Sequence, residues 1–183
     1  MTLAVDFWGP HRSLATREVR QLVQQQYAAR SQLTIYIHAE PSSGEEAFVV
    51  TATFIRSGRV ITKRQASRRN SPSASEESYR TLAALLFALK HCREEAGSAL
   101  SIQIFSTYRD IAHAAEGKIR FAPGSEQASL QRHIQRMLPS FHADVELAYL
   151  PKQFRKWNPF FRQTEAAAKK GEASSLSRET QQA

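Results

Sequence analysis

The spacing of apolar and polar residues along the chain predicts a mixture of strands and helices. Apolar residues alternate with polar ones around β-branched positions, which predicts strands at residues 33–38, 47–56, 59–66, 99–105 and 144–150. Apolar residues spaced three and four apart predict helices at residues 14–30, 75–95, 108–115, 125–138 and 159–170. Three consecutive strands followed by interspersed helices and strands predict one α/β domain.

The ends of two predicted helices carry residues that favour helix termini. Thr16 and Ser75 stand at the starts of helices, and their hydroxyl groups are expected to accept hydrogen bonds from free backbone N–H groups. Gly97 follows the helix at residues 75–95 and is predicted to end it, because glycine adopts the backbone conformation that terminates helices.

The pattern also predicts how the chain is divided. Residues 1–30 are predicted to form an N-terminal helical extension, and residues 31–170 the domain itself. From residue 171 onward the sequence is rich in Ser, Glu, Gln and Ala, so residues 171–183 are predicted to be a disordered tail.

Composition narrows the classes of function. The chain has 183 residues with a net charge of +8, which favours a polyanionic partner such as nucleic acid. No apolar run reaches the roughly 18 residues that a membrane span needs, so no membrane partner is expected. Cys92 is the single cysteine, which rules out an internal disulfide and argues against a cysteine-rich zinc site. Without a signal peptide at its start, the chain is expected to be cytoplasmic.

Four local sequences, in this order and spacing, resemble type 1 ribonuclease H. They are the strand at residues 35–39 (IYIHA), the helix start at residues 75–85 (SEESYRTLAAL), the strand and short helix at residues 102–111 (IQIFSTYRDI), and the strand end at residues 147–151 (LAYLP) with its following helix. The resemblance covers about residues 31–170. It implies a ribonuclease H-like fold, which is a five-stranded mixed sheet with helices on both faces, and here it carries an additional N-terminal helix.

The resemblance also implies an active site that this sequence lacks. In the family, four carboxylates gather two divalent metal ions that activate water for phosphodiester cleavage. The corresponding positions here are His38, Ser78, Phe105 and Arg162, or Pro159 if the last segment is aligned without a gap, and none of them is acidic. Since Mg²⁺ prefers charged oxygen ligands, we expect no catalytic residues, no metal ligands and no Mg²⁺ or Mn²⁺ cofactor.

Two nearby carboxylates leave an alternative open. Glu40 lies two residues beyond His38, and Glu77 precedes Ser78. A metal-dependent RNA–DNA hybrid ribonuclease with relocated carboxylates would use these residues and would require Mg²⁺ or Mn²⁺. The adjacent residues of a helix diverge by about 100°, which argues against simple replacement of Ser78 by Glu77.

Basic residues concentrate in two segments. In the first, Arg64, Arg68, Arg69 and Asn70 are candidates for phosphate contact, because arginine donates fork-like hydrogen bonds that suit phosphate. The simpler interpretation is a solvated sheet face and loop, and the two are equally well supported by the sequence.

The second basic segment contains aromatic residues. Lys152, Arg155, Lys156 and Trp157 lie between the last strand and the last helix and are candidates for gripping a nucleic-acid backbone and stacking on bases. The simpler interpretation is that the aromatic residues at positions 160–161 anchor the last helix to the sheet.

Three hypotheses follow from these observations. The leading one is a non-catalytic ribonuclease H-like module that binds nucleic acid, either an RNA–DNA hybrid or duplex RNA, both of which have A-form shape. The second is a protein-interaction or dimerisation module that uses the N-terminal helix. The third is the nuclease with relocated carboxylates. All three assume that His38, Ser78 and Phe105 converge at one end of the sheet.

Overall fold

Five strands form one mixed sheet in the order β3-β2-β1-β4-β5. A computed structural model describes residues 8–42, 48–67 and 72–180, with side chains described as far as residue 169. The strands are β1 (Gln32–Pro41), β2 (Phe48–Arg56), β3 (Arg59–Ser67), β4 (Ser101–Ser106) and β5 (Asp144–Tyr149). The first three pair antiparallel, whereas β4 lies parallel to both β1 and β5. The predicted fold class is confirmed.

The described ranges also contain five α-helices and several short 3-10 turns. The helices are α1 (Arg17–Ala28), α2 (Glu77–Ala96), α3 (Ile111–Glu116), α4 (Glu126–Met137) and α5 (Pro159–Thr180). The 3-10 turns are Gly9–Leu14, Pro72–Ser75, Leu138–Ser140 and Lys152–Phe154. None of the helices in the described ranges is both long and apolar enough to cross a lipid bilayer.

The pleat of the sheet divides the core into two layers. On one face, Leu33, Ile35 and Ile37 of β1 pack with the apolar side of α2 and with residues of α3 and α4. On the other face, Tyr36 of β1 and Phe105 of β4 pack with residues of α1 and α5. Neighbouring strand residues therefore point to opposite layers, as strand geometry requires.

The N-terminal helix is part of this second layer. Val19 and Val23, the centre of its apolar stripe, are 0% exposed and contact the same cluster as Tyr36. The stripe is thus buried against the chain's own sheet, so the structure does not support the hypothesis that this helix offers it to a partner or a second copy. Leu14, predicted as the first residue of this helix, instead lies in the preceding 3-10 turn and is exposed.

The predicted helix ends are confirmed in two cases and corrected in one. The hydroxyl of Thr16 accepts a hydrogen bond from the backbone N–H of Val19 at 3.2 Å, and Gly97 ends α2 with a positive φ of 50°. Ser75 does not cap α2, because residues 72–75 form a 3-10 turn and the helix begins two residues later, at Glu77. The Ser75 hydroxyl instead donates to the carbonyl of Pro72.

The last helix is longer than predicted. Its backbone continues through Gly171 to Thr180, where a disordered tail was expected, while residues 181–183 lie outside the described ranges. A glycine inside a helix costs about 1 kcal/mol relative to alanine. The alanines, lysines and glutamate around it are good helix formers.

Candidate nucleic-acid interface

The side chains at the positions aligned with the family's carboxylates do not point to one layer of the sheet. Phe105 is buried beneath α1 and α5, where its ring stacks on Tyr36 at 5.4 Å between centroids. His38 lies opposite Thr51, whose hydroxyl donates to the carbonyl of Thr164 on α5 at 2.8 Å, so His38 points to the same layer. Ser78 belongs to α2 on the opposite layer. The segments that carry the three residues meet at one end of the sheet, but the side chains of His38 and Phe105 point to one layer and Ser78 lies in the other, so the three side chains do not share one site.

The two carboxylates proposed as replacements are also separated. Glu40 lies on the same side of β1 as His38, and its Oε2 atom is 2.7 Å from His38 Nε2. Glu77 lies in the first turn of α2, on the other layer. In the part of the chain that the structure describes, no three His, Cys, Asp or Glu side chains form a group that could hold a metal ion.

A small cavity lies where β1 and β4 end and α2 begins. It is lined by Ile37, His38, Ala39, Glu77, Arg80, Thr81, Ala84, Ser106 and Thr107. Glu77 supplies the one carboxylate in this lining, and the Arg80 guanidinium lies in the same wall. Two divalent cations need several oxygen ligands, preferably charged, and an adjacent guanidinium would repel them. The residues present do not fit a two-metal site.

Known structures are similar to this architecture. The ribonuclease H1 of the halophilic archaeon Halobacterium salinarum superposes with a TM-score of 0.58 over 78% of this chain and 98% of its own, at 10% identity. The fold is that of a type 1 ribonuclease H. The N-terminal ribonuclease H domain of a Mycobacterium tuberculosis protein gives a TM-score of 0.54 over 75% of this chain and 99% of that domain, at 11% identity.

A third similar structure was determined with nucleic acid. LC11 ribonuclease H1 in complex with an RNA/DNA hybrid matches 66% of this chain and 86% of its own, with a TM-score of 0.50 and 9% identity. No protein-family model matches the sequence, and no curated protein matches it. Similarity at these identities shows the ribonuclease H fold and leaves the activity to be argued from the residues.

The first basic segment is partly used for internal contacts. Lys63 Nζ lies 2.6 Å from Glu94 Oε2 and 3.4 Å from Glu95 Oε1, and Arg59 lies 3.5 Å from Glu95. These ion pairs tie β3 to α2. Arg64 points to the opposite layer and is exposed, so it stays a candidate for phosphate contact. The predicted residues Arg68, Arg69 and Asn70 lie outside the described ranges.

The second basic segment forms the connection between β5 and α5. Lys152 and Lys156 are exposed there. Arg155 is half-buried, and it donates hydrogen bonds to the carbonyl of Leu150 at 2.8 Å and to the hydroxyl of Tyr149 at 2.9 Å. Since these bonds hold the loop in shape, we expect Arg155 to position the two lysines rather than to bind a ligand itself.

Trp157 lies at the centre of this surface in an unusual backbone conformation. Its φ of 62° is in the left-handed region, which disfavours a bulky residue by roughly 1–3 kcal/mol. The indole stacks with the ring of His11 at 5.0 Å, and the guanidinium of Arg162 lies 5.0 Å from its centroid. Arg162, aligned with a metal ligand, thus belongs to this basic surface. The partial cover by His11 was not predicted, because no local sequence pattern links two positions so far apart.

Two shallow depressions meet at Trp157. One is lined by Lys152, Arg155, Lys156, Trp157, Phe161, Arg162 and Glu165. The other is lined by Trp8, His11, Trp157, Pro159, Arg162, Gln163 and Ala166. Phe160 and Phe161 are buried and anchor α5 to the sheet, in agreement with the simpler interpretation of the two aromatic residues. We call Lys152, Lys156, Trp157 and Arg162 the basic loop surface.

The single cysteine plays no visible part in either region. Cys92 lies on the buried side of α2, and burial raises the pKa of its thiol to about 12. A thiol that is held protonated and covered from solvent is a poor nucleophile. Cys92 therefore acts as a small apolar residue of the core.

The raised pKa of Cys92 predicts a loss of stability in alkali. The thiol ionises near pH 8.5 in the unfolded chain but not in the fold, so its contribution is complete below that pH and declines as the pH rises toward 12. The free energy of unfolding is expected to fall by about 1.4 kcal/mol per pH unit through this group. Denaturant titrations between about pH 8.5 and 10 should show a shallower decline for Cys92→Ala than for the parent. Equal slopes would contradict the prediction.

Proposed function

We propose that this chain is a non-catalytic nucleic-acid-binding module with a ribonuclease H fold, and that its ligand is an RNA–DNA hybrid or duplex RNA. The observation that carries the proposal is the basic loop surface, in which Lys152 and Lys156 line one depression with Trp157 and the guanidinium of Arg162 lies 5.0 Å from the centre of the indole. Cations beside an aromatic ring are the combination that binds phosphates and stacks on bases.

Two further facts support the binding of nucleic acid. The chain carries a net charge of +8, so long-range attraction favours a polyanion. The similar LC11 ribonuclease H1 was determined in complex with an RNA/DNA hybrid, which makes a hybrid the first ligand to test. Contacts to phosphate predict binding that weakens steeply as the salt concentration increases.

We propose that the chain is non-catalytic because of the side chains at the ends of β1 and β4. The cavity between β1, β4 and α2 contains the carboxylate of Glu77 beside the guanidinium of Arg80, and Glu40 is paired with His38 on the other layer. Hydrolysis through two metal ions would need several carboxylates on one side of the sheet.

Reversing two charges tests the binding surface. The double variant Lys152→Glu/Lys156→Glu is expected to weaken binding of a labelled RNA–DNA hybrid by about tenfold to a hundredfold, and to reduce the slope of log K against log salt by about two, because each lysine neutralises about one phosphate. The measurement is fluorescence anisotropy across a salt series.

A matched control variant distinguishes the effect of the basic loop surface on binding from the effect of net charge. Lys90 and Arg132 are exposed on α2 and α4, in the layer away from the loop. Lys90→Glu/Arg132→Glu changes the net charge equally and is expected to leave most of the affinity intact. If both double variants lose the same affinity, the basic loop surface is not the binding site.

The same samples test catalysis. Incubation of the hybrid with Mg²⁺ or Mn²⁺ is expected to leave it uncut. Metal-dependent cleavage that disappears in Glu77→Gln or Glu40→Gln would overturn the non-catalytic proposal in favour of relocated carboxylates. Duplex RNA measured in parallel distinguishes recognition of A-form shape from a requirement for the DNA strand.

A further inference from the structure

We propose that Trp157 stacks on an unpaired nucleotide next to a duplex, and that His11 occupies the place of that base in the free protein. Both points rest on the proposed binding of nucleic acid at the basic loop surface, and they name the kind of nucleic-acid end that binds there. The base would enter the depression that is lined by Trp8, His11, Trp157, Pro159, Arg162, Gln163 and Ala166.

Stacking on an aromatic side chain requires a base with a free face. Bases inside a duplex already stack on a neighbour on each side, so an indole reaches the bases of loops, bulges and single-stranded ends. Lys152 and Lys156 line the adjoining depression, where they can contact the phosphates of a backbone. A strand that passes from duplex to single strand offers both kinds of contact at once.

The depression beside Trp157 has the size and the chemistry for one nucleotide. Its volume is about 330 Å³, at the lower end of the range for small-molecule pockets. The indoles of Trp8 and Trp157 line it, and among the described residues of the lining Arg162 is a cation and none is a carboxylate. A planar ligand with a negative charge therefore meets aromatic surface and positive charge together.

His11 already makes the contact that a base would make. Its imidazole ring stacks on the indole of Trp157 at 5.0 Å between centroids, with an angle of 25° between the two planes. The guanidinium of Arg162 lies 5.0 Å from the centroid of the same indole. Two groups at this distance cover much of the indole, so a base that stacks on Trp157 has to displace one of them.

The turn that carries His11 is the more easily displaced of the two. The residues of the 3-10 turn Gly9–Leu14 are exposed or half-buried, whereas Trp8 before the turn and Ala15 after it are buried and hold its ends. Arg162 belongs to α5, where the two preceding aromatic residues are buried against the sheet. We therefore expect the base to displace His11 and to leave Arg162 in place.

The test compares two RNA–DNA hybrids that carry the same number of phosphates. Both contain the same duplex and a short single-stranded overhang, and in one of them the nucleotides of the overhang are abasic. The ratio of their dissociation constants, measured by fluorescence anisotropy with the full chain at one salt concentration, reports the contribution of the unpaired bases. The parent is expected to bind the hybrid with intact bases about tenfold more tightly. Overhangs at the 3′ and 5′ ends are measured separately.

Two substitutions should change this ratio in opposite directions. Trp157→Gly keeps the left-handed backbone, which glycine adopts without strain, and is expected to bring the ratio to about one because the stacking ring is lost. His11→Ala removes the competing ring and is expected to raise the ratio about threefold or more. Ser13→Ala, in the same exposed turn, is the control and should keep the ratio of the parent.

The possible results separate this proposal from the proposed function. If the parent binds both hybrids equally well at both ends, unpaired bases do not enter the depression, and the proposed function stands without this preference. If neither hybrid binds, both proposals fail. A ratio that falls in His11→Ala, as it should in Trp157→Gly, would show that the imidazole assists the base, and the competition by His11 would be wrong.

Discussion

Replacing Asn158 with alanine is expected to destabilise the protein by about 3 kcal/mol, although the residue lines none of the depressions. Asn158 is 0% exposed, and its Oδ1 atom accepts hydrogen bonds from the backbone N–H groups of Phe160 and Phe161 at 3.1 and 3.2 Å. Its Nδ2 atom donates to the Tyr36 hydroxyl at 3.2 Å and to the Phe154 carbonyl at 3.0 Å. Losing the cap costs about 1 kcal/mol, and each buried group left without a partner costs about as much again.

The effect should propagate because Asn158 belongs to a chain of buried polar groups. The Tyr36 hydroxyl donates to Gln26 Oε1 on α1 at 2.6 Å, so Asn158 at the start of α5 and Gln26 of α1 are joined through β1. Burial raises the pKa of Tyr36 to about 12, and its hydrogen bonds with Asn158 and Gln26 only partly oppose this. The network ties both helices of the second layer to the central strand.

Denaturant unfolding followed by circular dichroism measures this effect, and a double-mutant cycle isolates the contact. Tyr36→Phe is expected to cost about 1–2 kcal/mol by leaving two buried partners unsatisfied. The double variant should cost less than the sum of the two, by about 1 kcal/mol, because the Asn158–Tyr36 bond can be lost only once. Additive losses, or a loss below 1 kcal/mol for Asn158→Ala, would show that the cap and the network contribute little.

Much of the fold could be predicted from the sequence because local patterns determine it. Alternation around β-branched residues identifies β2, and the apolar run from Tyr79 to Leu89 identifies α2. Helix ends were harder to predict. Ser75 has the right chemistry for a cap, but Pro72 begins a 3-10 turn that uses the residues before Glu77, and a choice between two competing local structures depends on the tertiary contacts.

The candidate site was harder to predict than the fold. It depends on the sheet face to which each strand side chain points and on contacts between residues that are far apart in the sequence. Moving one residue along a strand reverses the layer to which a side chain points, so aligning Phe105 rather than Ser106 with a cavity position exchanges a core residue for a cavity residue. The contact of His11 with Trp157 joins two segments that no spacing rule connects. The basic character of the loop, by contrast, could be read directly from its residues.

The burial of Phe105 leads to the prediction with the largest expected effect. Phe105→Asp, which restores an acidic residue at the position aligned with the family, is expected to cost at least about 5 kcal/mol and to leave the protein largely unfolded at neutral pH. Phe105 is only 8% exposed and lies against Tyr36 beneath α1 and α5. An aspartate there would lose the aromatic packing and bury a charge among apolar side chains.

Thermal unfolding of Phe105→Asp is compared with that of Phe105→Leu, which keeps an apolar side chain and is expected to cost about 1.5 kcal/mol. Adding Mg²⁺ is expected to stabilise neither variant, because His38 and Phe105 point to one layer and Ser78 lies on the other. A folded Phe105→Asp protein that gains stability with Mg²⁺ would mean that the carboxylate reaches the strand-end cavity. In that case the alignment of Phe105 with a metal ligand would be correct. The assignment of Phe105 to the layer opposite α2 would then not exclude a metal site at the strand ends.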